Sequence, residues 1–220
     1  MSSREAILGR IRSALADVTA SDPVDDIAVD WTYGQRPEGA DDDMLGLFVE
    51  RVEDYKAVVE RVSADELAGR IAGALADHGV TSAVVPAGAP QAWHEAVAAA
   101  GIDVVTDGSV LSHAELDATG AVVTASRVGI AETGTIVLDH AADQGRRALS
   151  LVPDLHVCVI GADQVVSDVP EAVVRLQASI DARQPLTWIS GPSATSDIEL
   201  SRVEGVHGPR TLRVLLVNPG

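Results

Sequence analysis

Helical periodicity dominates the beginning of the chain and then gives way to an irregular acidic stretch. Apolar residues recur on one helical face between residues 7 and 15, which predicts an amphipathic first helix of about four turns. Over residues 21–43 no period is sustained, and prolines, glycines and aspartates are frequent, so a long loop or arm is expected. We therefore predict an N-terminal helix and acidic arm over residues 1–43 and one α/β domain over residues 44–220.

Helical and extended patterns alternate at the start of the domain. A second helix is predicted over residues 45–52, and the apolar run at 57–62 fits either its continuation or a strand. Ser63 and Glu66 have the spacing of a capping box ahead of apolar positions at helical intervals up to residue 75. This pattern predicts a third helix.

Continuous apolar runs follow, separated by helical patterns. The segments 82–85, 90–100 and 103–106 predict a strand, a helix and a strand. Five further runs predict strands at 121–124, 135–138, 157–160, 186–189 and 212–217. A helix is expected over residues 170–179. Because the strand runs are apolar throughout rather than alternating, they indicate strands buried on both faces, and hence a mostly parallel sheet flanked by helices.

Composition permits a full hydrophobic core and argues against nucleic acid as a partner. The chain is 46% hydrophobic, which suffices for one compact domain with an appended arm. Aromatic residues make up 3% of the chain, too few for a base-stacking platform, and the net charge of −17 repels phosphate backbones.

The excess negative charge is concentrated in the first half of the chain. Residues 1–118 hold 22 acidic and eight basic side chains, whereas residues 119–220 hold 11 acidic and eight basic ones. The second half can therefore accept a small anion despite the acidic whole. An acidic, solvated face that keeps the protein soluble is the other interpretation of this asymmetry.

Cysteine usage and hydropathy limit the classes of cofactor and compartment. Cys158 is the single cysteine, so this chain holds neither an intrachain disulfide nor a four-cysteine iron–sulfur cluster, and any cluster must belong to a partner. The histidines have no zinc-ligand spacing, and no metal is predicted. There is no run of 18 apolar residues and no signal-peptide layout, so we expect a cytoplasmic chain without membrane insertion.

The first segment with candidate chemistry precedes the apolar run at 135–138. Glu132 is a candidate base or nucleophile, while Thr133, Gly134 and Thr135 offer hydroxyls and unhindered amides to a carboxylate or phosphate. A turn with an exposed glutamate fits the same sequence.

The second segment, residues 190–199, has the pattern of a junction between a strand and a helix. Ser190, Gly191 and Ser193 are predicted to form an anion pocket ahead of the free amides of the helix start. Ser196 and Glu199 fit a capping box, which gives part of this segment a purely structural explanation.

A third segment contains two ionisable side chains in a turn before the run at 212–217. Arg210 is a candidate for bidentate binding of a carboxylate, and His207 is a candidate proton shuttle. A solvent-exposed turn with a surface salt bridge is equally consistent. His156 and Cys158 share one face of a predicted strand, and we interpret this pair as inert core.

The chain resembles the LUD-domain family, in its LutC/YkgG branch, through four strings of residues. These are Ala131–Thr135, Arg147–Pro153 leading into Leu155–Val157, Ser190–Thr195 through Glu199, and Gly205–Arg210. They cover residues 120–217 specifically, and the pattern from Leu45 onward agrees more loosely.

The resemblance implies a fold like that of the ribose-5-phosphate isomerase, glucosamine-6-phosphate deaminase and coenzyme A transferase group. It also implies a non-redox subunit for the oxidation of L-lactate to pyruvate, working with two partner proteins of which at least one carries iron–sulfur clusters. No cofactor is then expected on this chain, and a small carboxylate or other anion is its expected ligand. The resemblance assigns no catalytic residue, so the candidate residues above depend on the sequence pattern alone.

Two other functions remain open at this point. One is a free-standing isomerase or coenzyme A transferase in which Glu132 attacks or deprotonates the substrate. The other is an assembly or regulatory protein without catalytic activity.

Overall fold

A computed structural model describes residues 3–16, 43–107, 110–195, 203–204 and 208–218. Helix α1 spans Ser3–Ala14, as the periodicity predicts, with Glu5 in its first turn. Most of the acidic arm lies outside the described residues, and the predicted domain boundary at residue 43 stays a prediction. No helix in the described part is both long and apolar enough to cross a membrane.

Helices and strands alternate through the domain. Its helices are α2 (Met44–Asp54), α3 (Leu67–Asp77), α4 (Gln91–Ala99), α5 (His113–Asp117) and α6 (Val169–Asp181). Its strands are β1 (Val58–Val62), β2 (Ser82–Val84), β3 (Asp103–Val105), β4 (Ala121–Thr124), β5 (Val128–Ile130), β6 (Thr135–Leu138), β7 (Leu155–Gly161), β8 (Val165–Val166), β9 (Thr187–Ile189), β10 (Ala194–Thr195), β11 (Val203–Glu204) and β12 (Thr211–Val217). Short 3₁₀ helices cover Arg147–Ser150 and Ala162–Gln164.

A six-stranded parallel sheet forms the centre of the domain, in the order β1-β12-β7-β4-β2-β3. It confirms the predicted α/β class with a mostly parallel sheet flanked by helices. The ambiguous run at 57–62 is a strand, because it pairs with β12 along its whole length.

The two faces of this sheet are covered differently. Along β7 the side chains of Val157 and Val159 pack with α3 and α4, whereas those of Cys158 and Ile160 pack with α2 and β6. The central strand is therefore buried on both sides, which explains its continuous apolar sequence.

A second sheet has the order β8-β5-β6-β9, with β5, β6 and β9 antiparallel. It corrects the expectation that the apolar runs at 135–138 and 186–189 belong to the parallel sheet. β6 is buried along its whole length between the first sheet on one side and α6 on the other. A two-stranded ribbon of β10 and β11 completes the described strands.

Helix α6 begins as its sequence predicts. The Asp168 carboxylate accepts a hydrogen bond of 2.8 Å from the Glu171 amide, and Pro170 stands in the first turn. The cap positions the helix so that Ala172 and Leu176 pack on β5 and β6.

Candidate functional site

A pocket of about 250 Å³ opens where the parallel sheet meets β9 and the loop that follows it. His156 and Leu212, the second residues of β7 and β12, form its base. Residues 187–193 form one wall, and Ser150, Leu151, Gly208 and Pro209 complete the lining. The pocket therefore lies at the amino ends of β7 and β12, not at the carboxyl ends where ligands of open α/β sheets usually bind.

The first and second predicted segments meet beside this pocket. The hydroxyl of Thr133 donates to that of Thr135 at 2.8 Å, and Thr135 shares a 2.8 Å hydrogen bond with the Ser190 hydroxyl. The antiparallel pairing of Ile136 with Ile189 sets this contact, because it aligns the start of β6 with the end of β9. Ser190, Gly191 and Ser193 line the pocket themselves.

Glycine is required where these two segments pass the end of α2. Gly134 has a φ of +58°, and a Cβ there would lie 2.6 Å from the carbonyl carbon of Arg51. Gly191 has a φ of +92°, and a Cβ there would lie 2.5 Å from the Cβ of Tyr55. Both positions combine the left-handed region with a close approach that no other residue tolerates without a shift.

Glu132 lies beside these segments but away from the pocket. Its amide donates to the Ser167 carbonyl at 3.0 Å, while the residue itself is exposed. It lines neither this pocket nor the second one described below. A catalytic role for Glu132 stays a prediction that the pocket geometry does not support.

The third segment contributes backbone rather than charge. Gly208 and Pro209 line the pocket, and the Ser193 amide donates to the Pro209 carbonyl at 2.8 Å. Arg210 points elsewhere: it is exposed, and its Nε lies 3.6 Å from an Asp154 carboxylate oxygen, which makes the predicted surface salt bridge.

Arg210 and Asp154 line a second, larger depression of about 380 Å³. The structure therefore does not bring Arg210 to the loop of residues 190–193, called the serine loop below. His207 and the capping residues Ser196 and Glu199 lie outside the described residues, so their predicted roles stay predictions.

His156 is the pocket residue that sequence analysis interpreted as inert core. Its side chain is buried, and Nε2 lies 2.7 Å from the Thr124 hydroxyl. Burial lowers the pKa of His156 to about 4, so the imidazole is uncharged at neutral pH. The alternation along β7 places Cys158 on the same face, but the approach of the β9 loop to His156 has no signal in the local sequence.

Cys158 behaves as predicted for a core residue. Burial raises the pKa of its thiol to about 12, although the Thr124 hydroxyl approaches the sulfur at 3.9 Å. It is therefore not a nucleophile at neutral pH.

A second histidine orients a hydroxyl of the pocket. His140 Nδ1 lies 2.9 Å from the Gly145 carbonyl, and Nε2 lies 2.8 Å from the hydroxyl of Thr187, a lining residue. A carbonyl only accepts, so Nδ1 carries the proton and donates to it, and the Nε2 contact fixes the Thr187 hydroxyl at the pocket wall. His140 itself has a φ of +58°, and its backbone amide donates a 3.0 Å hydrogen bond to the side-chain oxygen of Gln144.

The described lining of the pocket is uncharged. It offers hydroxyls, one imidazole and an apolar wall of leucine and isoleucine, with no lysine, arginine, aspartate or glutamate. Nor does the described part bring three potential metal ligands together. Such a lining can hydrogen-bond a small polar molecule and enclose its carbon atoms.

Comparisons with known proteins identify relatives of this chain. The LUD domain family model matches residues 45–217. Lactate utilization protein C of Deinococcus radiodurans is 54% identical over 175 residues, which are 80% of each chain. A protein of the same name from Geobacillus thermodenitrificans is 27% identical over 90% of this chain and 87% of its own. The crystal structure of a DUF162 family protein from Deinococcus radiodurans superposes with a TM-score of 0.68 and 46% identity, over 80% of this chain and 96% of that one. The chain therefore belongs to the LUD domain family, as its motifs indicate.

Proposed function

We propose that this protein acts in lactate utilization by binding a short carboxylic acid, L-lactate or pyruvate, in the pocket beside β9. The role in lactate utilization is supported by the name of the relative that is 54% identical over 80% of each chain. The observation that carries the binding site is that the serine loop, which belongs to the matched family region, forms one wall of the pocket.

The size and lining of the pocket suit such a ligand. At about 250 Å³ it lies below the range of roughly 300–1,000 Å³ that encloses drug-sized molecules. In this proposal the Ser190 hydroxyl faces the carboxylate, and Leu212 and Ile189, which also line the pocket, cover the methyl group. Because no charged side chain is present in the described lining, affinity in the millimolar range is expected.

The redox step is assigned to partner proteins in this proposal. Oxidation of lactate to pyruvate releases two electrons and two protons, and a single buried cysteine cannot hold a four-cysteine cluster. Partners that carry iron–sulfur clusters are therefore proposed to accept the electrons while this chain holds the organic acid.

A thermal unfolding experiment tests the binding step. A ligand that binds the native state raises its stability, by about 2.7 kcal/mol at a hundredfold excess over Kd. We expect L-lactate or pyruvate at many millimolar to raise the thermal midpoint of the wild type, with sodium chloride at equal ionic strength as the reference.

Two variants test whether the rise in thermal midpoint comes from binding in this pocket. Ser190→Ala, in the pocket wall, should weaken the shift, whereas Arg210→Ala, on the other depression, should leave it intact. No shift with either acid refutes the proposed binding. Loss of the shift in Glu132→Gln would instead favour an enzyme that uses Glu132.

The partner assignment has its own test. The purified chain should associate with an iron–sulfur protein of the same lactate-oxidising system, and lactate-dependent growth should require both. Growth on lactate that is unchanged after deletion of this chain contradicts the proposed role.

A further inference from the structure

We propose that His156 contacts the oxygen atom on carbon 2 of the bound acid, the hydroxyl of a 2-hydroxy acid or the carbonyl of a 2-oxo acid, through its Nδ1. This inference depends on the proposed function, and it names the group that distinguishes these acids from a plain carboxylic acid. His156 is offered here as a ligand-contacting residue, with Thr124 as its positioning residue.

The position of the ring is the first support. His156 is the second residue of β7, and its side chain forms part of the pocket base although only 1% of the residue is exposed. Thr124, on the neighbouring strand β4, holds Nε2 at 2.7 Å. One nitrogen of the ring is therefore anchored inside the sheet.

The other nitrogen is left for a ligand. Among the described residues, the wholly buried side-chain nitrogen and oxygen atoms without a hydrogen bond are Asp143 Oδ1 and Arg213 Nε. Nδ1 of His156 is not one of them, and it has no hydrogen-bond partner in the described part of the chain. Since His156 lines the pocket, Nδ1 is the ring nitrogen that remains for a ligand there.

The chemistry of the ring selects the oxygen on carbon 2 rather than the carboxylate. Burial keeps the imidazole uncharged at neutral pH, so it supplies no positive charge to a carboxylate. A neutral imidazole nitrogen makes one ordinary hydrogen bond, which matches a neutral hydroxyl or carbonyl. The Ser190 hydroxyl, on the pocket wall, is assigned to the carboxylate.

A ligand series measures this contact. Propionate has the carbon chain and carboxylate of lactate but no oxygen on carbon 2. We expect wild-type protein to bind L-lactate or pyruvate on the order of tenfold more tightly than propionate in isothermal titration calorimetry. A ligand without the oxygen leaves Nδ1 without a hydrogen-bond partner on the ligand, which is the usual source of such discrimination.

Two substitutions separate the ligand contact from the anchor. The amide of glutamine reaches the position of the imidazole Nε2, so His156→Gln can keep the Thr124 bond and remove the group that faces the pocket. The amide of asparagine reaches the position of Nδ1, so His156→Asn keeps that group and loses the anchor. His156→Gln should reduce the tenfold preference to about one, and His156→Asn should retain most of it.

Cys158→Ala is the matched control, because Cys158 is buried two residues away on the same face of β7 and does not line the pocket. It should keep the wild-type preference. If the wild type binds none of the three acids, the proposed function fails together with this inference. If the wild type prefers lactate and His156→Gln does so equally, the proposed function stands and the inference about His156 is overturned.

A measurement on the wild type covers the case in which the variants do not fold. Long-range proton–nitrogen correlation NMR reports the two ring nitrogens of His156 separately. Saturating L-lactate should shift the Nδ1 resonance strongly and Nε2 weakly, and propionate should shift neither. Equal Nδ1 shifts with lactate and propionate, or none with bound lactate, would overturn the assignment.

Discussion

The burial of His156 links the stability of the protein to pH at the level of one residue. The folded state holds the ring uncharged, with the pKa lowered from 6.5 to about 4, whereas the unfolded chain protonates it near 6.5. The unfolded state therefore binds more protons between these two values, and the contribution to stability is lost as the pH falls from 6.5 towards 4. Thr124 is the hydrogen-bonded neighbour of His156, and Cys158 accepts from the Thr124 hydroxyl; neither is charged in this range.

Wild-type protein should consequently lose stability on acidification more steeply than His156→Gln. Each pKa unit corresponds to about 1.4 kcal/mol, so between pH 6.5 and pH 5 the difference in unfolding free energy between the two proteins should change by about 2 kcal/mol. Urea unfolding at both pH values measures it, and Cys158→Ala should follow the wild type. Parallel pH dependences of wild type and His156→Gln would show that His156 is not held neutral.

Gly191 is a second position at which adding a single carbon atom should destabilise the folded state. Gly191→Ala should lower the unfolding free energy by about 2–4 kcal/mol, because it adds an overlap with Tyr55 to the cost of a positive φ. Gly79→Ala is the matched control: its φ is +65°, but no atom lies within 4 Å of the added Cβ, so about 1–2 kcal/mol is expected. Chemical denaturation of both variants gives the comparison. An equal loss at the two positions contradicts the proposed close packing.

The candidate site was only partly predictable at this scale. Ser190, Gly191 and Ser193 were identifiable because glycine and serine interrupt an apolar pattern. His156 was not, because its role depends on a loop that comes from more than thirty positions later in the chain. Arg210 looked like a ligand for an anion, yet it lies beside Asp154, which precedes β7, and does not line the pocket. Local sequence specifies residue types and periodicity, but not which distant loop covers a strand.

At the scale of elements, the second sheet shows the same limit. The runs at 135–138 and 186–189 are strands as predicted, and so are all the strands expected for the parallel sheet. Their assignment to one sheet is wrong because a strand in a buried antiparallel sheet is as apolar as one in a parallel sheet. Strand β5 was not predicted, because Val128–Ile130 is short and contains a glycine. That glycine, Gly129, packs against Phe48 and Ile160.

A buried hydrogen bond connects helix α6 to the residue that follows β6. The Ser179 hydroxyl donates to Asp139 at 2.7 Å, and both residues are only 4% exposed. Ser179→Ala should lower the unfolding free energy by roughly 1.5–3 kcal/mol, the value of a hydrogen bond to a charged group. Gln177→Ala, which removes an exposed bond to Asp181 on the same helix, should cost less than about 0.5 kcal/mol. Equal effects in equilibrium unfolding would mean that Ser179 does not anchor the helix.

For the whole molecule, the net charge of −17 is the dominant electrostatic feature. Exposed ion pairs such as Arg210 with Asp154 contribute little, whereas self-repulsion of the excess carboxylates acts on the entire compact state. Raising the salt concentration from about 0.01 M to 0.1 M shortens the Debye length from roughly 30 Å to 10 Å. The thermal midpoint should therefore rise by a few degrees.

Choline chloride serves as the control for this salt effect, because at equal ionic strength screening alone produces the same shift as sodium chloride. Scanning calorimetry provides the midpoints. A fall of the midpoint with added salt would show that ion pairs outweigh the repulsion of the acidic residues.

The strand order also determines when this molecule can fold during its synthesis. β12 is the last strand in sequence, yet it lies between β1 and β7 and pairs with both along its full length. While the ribosome is still making the chain, β1 and β7 have no common neighbour, and their apolar faces lack Val214 and Leu216. The parallel sheet can therefore close only after residue 217 has left the ribosome, and until then β1 and β7 lack the strand that joins them.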